Sequence, residues 1–374
     1  MTDALTGPMH LMWVFPGFGV GGAQVRFAAL ANRFGPVCRH SVVSLNGDLA
    51  CSEKLDPALK VRFPDAQHRP GRMLAAILHA RTFLRVENPD LVITSNWGAI
   101  EWAIGARLAG IRHVHTEDGF GPEERTTQLP RRVLVRRLAL RGCAVVVPSR
   151  VLAGIAAGSW RLAPRRLHTI PNGIELDRFI GAQPVLLPGR GPVIANVAAL
   201  RPEKNVARLL HAFASLRAQR PLRLLIVGDG PERQGLEALA ASLGITADII
   251  FAGHTATPEH WLAAADVFAL PSDTEQMPLS LLEAMASGLP AVCTDVGDVR
   301  TMLSPQNAPY VTPLNLACFT AGLAAMLDAD GPAIGAANRA KAAQQYGLET
   351  MAAAYAALFG VSSEGQFSQS PRQQ

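Results

Sequence analysis

The stretch Pro271-Ser-Asp-Thr-Glu-Gln-Met-Pro-Leu-Ser-Leu-Leu-Glu-Ala-Met-Ala-Ser-Gly-Leu-Pro290 follows the apolar run Asp266 to Leu270 and leads into a second one, Pro290 to Thr294. Short apolar runs bounded by Gly, Pro or Asp read as buried strands, and the longer segment between them reads as a helix. Strand, helix and strand in that order form one unit of a parallel sheet, whose ligands sit beyond the carboxyl ends of the strands. Pro278 suits the first helical turn because its missing N–H costs nothing there. The backbone around Met277, Pro278, Leu279 and Ser280 is therefore expected to turn its N–H groups toward an anion. Glu275 and Glu283 flank that helix start, with Glu283 about one turn deeper on the same wall.

The same alternation runs through the whole chain and occurs twice. The first half holds strand candidates at His10–Phe15, His40–Leu45, Asp90–Thr94, Ile111–His115 and Ala144–Val147. The second holds them at Val193–Val197, Leu222–Val227, Asp248–Phe251, Asp266–Leu270 and Pro290–Thr294. Turn formers cluster at Ile170–Ile174 and Gln183–Pro192, where a linker is expected. The reading is α/β: a Rossmann-like, doubly wound domain over 1–180 and a second over 181–345. A last helix, Glu349 to Phe359, lies within a returning segment at 346–360, and a disordered tail follows at 361–374.

With 374 residues, 49% of them hydrophobic and 17% charged, the chain is a well-packed globular protein with room for two domains. The formal charge of +5 hides an imbalance. Residues 1–180 hold 23 Lys and Arg against 14 Asp and Glu, whereas residues 181–374 hold 12 against 16. A basic first half suits a phosphorylated acceptor or an anionic membrane, and no nucleic-acid motif accompanies it. Cys38, Cys51, Cys143, Cys293 and Cys318 are widely spaced, with no ligand spacing for a metal, and read as reduced core residues. No segment combines the length and apolarity of a spanning helix, and the start lacks the features of a signal peptide. A cytoplasmic protein is expected.

Four further segments carry chemistry. Gly17, Gly19 and Gly22 satisfy G-x-G-x-x-G after a strand, but the second strand ends Val43-Ser-Leu-Asn46 with no acid before Asp48, so a nicotinamide dinucleotide site lacks its ribose ligand. Gly21, Gly22 and Gln24 remain as a loop whose backbone allows close approach. Asn196-Val-Ala-Ala-Leu-Arg-Pro-Glu-Lys-Asn205 brings a cation, Lys204, to a helix start, where it gains nothing without an anion; the chain has only four lysines. Leu225-Ile-Val-Gly-Asp-Gly-Pro-Glu-Arg233 and Phe251-Ala-Gly-His254 are turns after strands. Val114-His-Thr-Glu-Asp-Gly119 puts His115 and Asp118 at the end of another.

Taken together these motifs resemble the retaining glycosyltransferases of family 4, the glycosyl transferases group 1, over about Leu11 to Gly360. Glu275 and Glu283 stand at the ends of the family's Glu-x7-Glu motif, followed by Glu-Ala-Met-Ala-x-Gly-x-Pro. The resemblance implies a GT-B fold, two Rossmann-like domains facing a cleft with a C-terminal helix returning to the first. It also implies hexosyl transfer from a nucleotide diphosphate sugar, with retained configuration and no metal or other cofactor, to a cell-surface glycan, lipid-linked or similar acceptor. Lys204 matches the family's diphosphate-binding lysine, while its arginine position is Ala199 and the nearest guanidinium is Arg201. Gly21, Gly22, Gly228, Gly230 and His254 match donor-pocket positions. Glu275 is expected to hold donor sugar hydroxyls and Glu283 the ribose. Many relatives carry histidine where this chain has Asp118. Three readings follow: Asp118 is the acceptor base or a hydroxyl ligand, His115 takes over, or activity is altered. A nucleotide-sugar epimerase of the same fold and a catalytically impaired partner subunit are the alternative functions.

Leu129 to Arg141 places Arg132 and Arg136 on one side of a helix and Leu134 and Leu138 roughly opposite. Such a helix either packs its leucines into the core or docks Arg131 to Arg141 on an anionic membrane.

Overall fold

The computed structural model describes residues 7–66, 73–120, 124 and 127–361. The expected tail lies outside the described residues from 362 onward. Among the described residues the chain divides into two compact units, 1–172 with 348–374, and 173–347.

The first unit is built on a seven-stranded sheet. Its strands are β1 (Met9–Phe15), β2 (Cys38–Ser44), β3 (Val61–Arg62), β4 (Leu91–Ser95), β5 (His113–Thr116), β6 (Ala144–Val147) and β7 (Leu167–Thr169). Their order is β3-β2-β1-β4-β5-β6-β7 and every pair is parallel. Period-two alternation sends β1 side chains to two cores. Leu11, Trp13 and Phe15 pack with Phe27 and Phe34 of helix Gly22–Phe34 and with Tyr355 and Phe359 of helix Leu348–Phe359. Met12 and Val14 pack on the other face with Ala80, Leu84, Trp102 and Ala106. The Trp13 ring lies 4.9 Å from Phe27 and 5.8 Å from Phe359, within the range of favourable aromatic pairs. The last helix is thus part of the first unit's core.

The second unit carries β8 (Val193–Val197), β9 (Arg223–Val227), β10 (Ile249–Gly253), β11 (Val267–Leu270), β12 (Ala291–Thr294) and β13 (Val311–Thr312). Their order is β10-β9-β8-β11-β12-β13, again parallel. The chain winds outward from β8 to β10, then returns and winds the other way through β11 to β13. The order reverses between β8 and β11, and such a switch point is where open α/β sheets bind ligands.

Two expectations about the boundary are corrected. The crossing between units falls at Asn172 and Gly173 rather than 180/181, because Ile174 and Phe179 are buried in the second unit's core. The return falls at Gly347/Leu348 rather than 345/346. The segment Gln183–Pro192 is not a linker either. Arg223 holds it to the second sheet through hydrogen bonds to the carbonyls of Leu187, Pro188 and Gly191.

Candidate active site

At the switch point of the second unit, Lys204 and Glu275 meet. Lys204 ends a short 3-10 turn, Pro202–Lys204, after β8, and Glu275 lies in the loop after β11. The Lys204 Nζ donates to Glu275 Oε1 at 2.7 Å, and Ser272 Oγ donates to the same oxygen at 2.8 Å. Glu275 is nearly buried, its side chain 8% exposed, against 24% for Lys204. A buried carboxylate needs such partners, and one that keeps an ammonium at the rim holds a positive charge ready for an incoming anion.

The two loops are fastened together around this pair. Asn205 adopts a left-handed backbone, φ 43°, and caps helix Val206–Arg217 by accepting from Arg208 N–H at 3.1 Å. Its Nδ2 donates to Asp273 Oδ1 at 3.0 Å, Arg208 donates to the same oxygen at 2.7 Å, and Asp273 N–H donates to the Glu203 carbonyl at 2.9 Å. Ser272, Arg208, Asp273 and Asn205 escape sequence reading. Only Asn205, a capping residue type ahead of an apolar run, carries a local signal.

The remaining donor-site candidates border the same sheet edge in different ways. Gly228 and Gly230 both have positive φ, 133° and 159°, and a Cβ would overlap the Ala198 carbonyl oxygen at the first and the Leu200 carbonyl oxygen at the second. Their part is to let the loops after β8 and β9 touch backbone to backbone. Gly228 N–H also donates to the Gly253 carbonyl at 2.8 Å, which brings the loop with His254 alongside; His254 itself is exposed. Arg201 is exposed and its guanidinium makes no side-chain bond among the described residues, while Ala199 occupies an exposed loop position.

Helix Leu279–Ala286 starts one residue later than expected, with Pro278 at its cap rather than its first turn. Its first intrahelical bond runs from Leu282 N–H to the Pro278 carbonyl, so the N–H groups of Leu279, Ser280 and Leu281 precede the helical ladder. The Met277 side chain is buried in the core. Glu283 sits half-buried in the second turn. Gly297, φ 53°, packs against the Glu275 carbonyl, and Asp298 N–H donates to the Gln276 carbonyl at 3.0 Å, fixing the loop that carries the glutamate.

In the first unit, Gly21 caps helix Gly22–Phe34, and Gln24 Nε2 reaches back to the Gly17 carbonyl at 2.8 Å. A Cβ at Gly17 or Gly19 would strike the side chains of Asn46 and Asp48. Those glycines accommodate the turn after β2, so the G-x-G-x-x-G spelling has a packing cause.

Asp118 is engaged on both oxygens. The guanidinium of Arg26, itself buried, donates to Oδ1 and, at 2.8 Å, to Oδ2, and Asn172 Oδ1 accepts from Arg26 at 3.1 Å. Burial is the largest single influence and lowers the Arg26 pKa, but the Asp118 charge, Tyr355 and the hydrogen bond to Asp118 together outweigh it and raise Arg26 above the ordinary arginine range. Tyr355 beside it is pushed up to about 12, chiefly by burial. The reading of Asp118 as acceptor base is therefore corrected. Its lone pairs are committed to a cation, leaving a fixed negative charge, 18% exposed, that suits hydroxyl recognition. The reading of His115 as a substitute base is corrected too. His115 is fully buried within β5, bonded to Thr94 Oγ1 at 2.8 Å and 3.6 Å from Glu117, so no substrate reaches it.

The basic helix, Pro130–Ala139, is inverted relative to one expectation. Arg136 is fully buried, donating to Glu124 at 3.1 Å and Glu117 at 3.3 Å, and it lies 5.0 Å from the ring centres of Trp97 and Trp160. Leu134 and Leu138 are the exposed residues, 55% and 58%. Among the described residues no group of His, Cys, Asp and Glu is arranged to hold a metal ion, and no helix is long and apolar enough to cross a membrane.

Two family models match in succession, Glycosyltransferase Family 4 over residues 20–178 and Glycosyl transferases group 1 over residues 179–328. This chain belongs to glycosyltransferase family 4. As a family 4 glycosyltransferase it is 31% identical to the MMP alpha-(1->4)-mannosyltransferase of Mycolicibacterium hassiacum, over 60% of this chain and 55% of that protein. It is 30% identical to the 2-deoxystreptamine glucosyltransferase of Streptomyces kanamyceticus, over 54% of this chain and 57% of that protein. The chain spans a little over half the length of these relatives. Among solved structures, HepE of Anabaena in complex with UDP superposes with a TM-score of 0.77, covering 94% of this chain and 100% of that chain at 17% identity. A glycosyltransferase from Rickettsia africae gives a TM-score of 0.75 at 15% identity, covering 96% and 100%. At those identities the likeness is one of fold, and the fold is GT-B.

Proposed function

We propose that the chain transfers a hexose from a nucleotide diphosphate sugar to a hydroxyl of a glycan, lipid-linked or similar acceptor, with retention of anomeric configuration. The observation that carries this reading is the Lys204–Glu275 pair at the sheet's switch point. Leaving-group departure builds negative charge on the diphosphate. Lys204, Arg201 and the N–H groups at the start of helix Leu279–Ala286 form a preorganised set to stabilise it. Glu275, once Lys204 turns to the phosphates, holds donor sugar hydroxyls and steadies positive charge on the ring. Glu283 hydrogen-bonds the ribose. Asp118, held by Arg26, binds a hydroxyl.

The relatives and neighbours agree with a donor of this kind. HepE has been solved with UDP-glucose, and a GDP-mannose-dependent alpha-mannosyltransferase of Mycolicibacterium smegmatis is 31% identical over 42% of this chain. A panel of uridine, guanosine and adenosine diphosphate sugars should therefore contain one that raises the melting temperature, since a ligand of the folded state stabilises by RT ln(1 + [L]/Kd). The shift should survive EDTA, because the cations here are side chains. A panel in which nothing stabilises the protein supports the impaired-subunit alternative and rejects the proposal. Nucleotide release that needs no acceptor supports the epimerase.

We also place the protein at the cytoplasmic face of a membrane, through exposed Leu134 and Leu138 with Arg131 and Arg141 beside them. Cosedimentation with anionic vesicles should be strong at low salt and fall as salt screens the arginines. Equal recovery in the supernatant with and without vesicles would remove this placement.

A further inference from the structure

The amino ends of β5 and β6 border a cavity of about 310 Å³, at the end of the first sheet opposite the loop that carries Asp118. Its lining includes Arg107, Arg112, Arg166, His113, Cys143 and Leu358, and no Asp or Glu. The three arginines come from separate segments. Arg107 lies in the last turn of helix Ile100–Ala109, Arg112 in the turn into β5, and Arg166 in the short turn before β7.

Among the described residues each guanidinium is braced by backbone carbonyls alone. Arg107 donates to the Leu138 carbonyl at 3.0 Å, and Arg166 donates to that of Gly142 at 2.9 Å. Arg112 donates to the carbonyls of Phe359 and Leu358 at 2.7 and 2.6 Å. Among the described residues most N–H groups of each fork stay unengaged, and none of the three has a carboxylate within ion-pair distance. Arg26, Arg136, Arg208 and Arg300 are paired with acids, whereas Arg137, Arg223 and Arg339 donate to backbone carbonyls as these three do; what sets the three apart is that they line one cavity. The other titratable groups of the cavity supply no counter-charge. Burial pushes the Cys143 thiol up to about 12 despite Arg166 and Arg107, and burial together with His115 lowers His113 to about 3. Both stay neutral near pH 7.

Three arginines lining one cavity without an acid match a tetrahedral dianion with several acceptor oxygens better than a carboxylate, which offers two oxygens to one fork. We propose that this cavity is a second anion site, distinct from the donor site, that binds a phosphoryl group. Its source is either a soluble phosphate ester or a lipid headgroup; Leu108, about half exposed beside Arg107, together with Leu138 gives the second source an apolar neighbour. Because Arg112 also holds the end of helix Leu348–Phe359, occupancy acts directly on the anchoring of that helix.

The test is an arginine footprint on the full chain. Phenylglyoxal modification, mapped by mass spectrometry, is followed with inorganic phosphate, with phosphatidylglycerol vesicles, and with neither. Phosphate or vesicles should slow modification at Arg107, Arg112 and Arg166 by roughly tenfold at saturation, as full engagement of a charge-assisted fork requires. Protection by free phosphate assigns a soluble ligand, and protection by vesicles alone assigns a lipid. Protection by neither, or protection confined to Arg201, overturns the site. In parallel, Arg107→Gln/Arg166→Gln should lose the phosphate-dependent rise in melting temperature while Lys204→Ala keeps it. The reverse pattern would also overturn the proposal. The footprint needs only the unmodified chain, so it stands whether or not the double variant folds.

Discussion

Lys204→Ala is expected to lower turnover by about a hundredfold, the usual loss when one preorganised donor to developing negative charge is removed. The side chain is partly exposed and, among the described residues, bonds Glu275 alone, so the variant should fold. The loss should fall mainly on kcat, because charge on the departing diphosphate grows toward the transition state. Lys204→Arg keeps a cation and should recover part of the rate, with altered geometry limiting the rest. Glu283→Ala should instead weaken donor binding and leave kcat near wild type. Steady-state kinetics with the donor found by the stabilisation panel separates the two. Full activity in Lys204→Ala would refute the lysine's assignment.

Arg136→Met should have the largest effect on stability. Arg136 is fully buried and neutralises Glu124 and Glu117, both also buried, while three aromatic rings, Trp97, Phe120 and Trp160, surround its guanidinium. Methionine fills most of the space but takes the guanidinium from buried Glu117 and leaves Glu124 with Arg132, at 3.3 Å, and the Leu129 N–H. Removing one partner of a buried pair costs about 3–5 kcal/mol. In a unit of this size that corresponds to a fall in melting temperature on the order of 10 °C. Urea denaturation of the variant measures it directly. A loss under about 1 kcal/mol would mean that Glu117 and Glu124 find other partners.

The architecture was legible because burial leaves a mark on sequence. Parallel strands covered on both faces, such as Val193–Val197 and Ala144–Val147, are near-continuous apolar runs, broken only by Asn196 in the first, and both coincide with strands in the structure. Strands β3, β7 and β13, of two or three residues, were missed because so short a run has no period to detect. The unit boundary was misplaced for a different reason. Turn-rich sequence at 183–192 looks like a linker, yet Arg223, some 30 residues on, binds its carbonyls.

At the site, motif reading and geometry diverged where partners are remote in sequence. Lys204 and Glu275 are 71 residues apart, and nothing in spacing joins them; the resemblance singled out both, and the structure pairs them. Asp118 looked like a free carboxylate because Arg26, 92 residues away, cannot be seen from its neighbourhood. Arg136 was read as a surface cation on the ordinary preference of arginine for water, a preference that buried Glu124 and Glu117 reverse. The glycines of the first loop spelled a dinucleotide motif, but the side chains of Asn46 and Asp48 account for two of them.

The most direct test is a crystal structure of the chain soaked with the nucleoside diphosphate of the stabilising donor. The account predicts its phosphates between Lys204 and the first N–H groups of helix Leu279–Ala286, its ribose at Glu283, and the Lys204–Glu275 hydrogen bond replaced by one from lysine to phosphate. A diphosphate seated instead on the Gly17–Gly22 loop, with the Lys204–Glu275 pair intact, would contradict it.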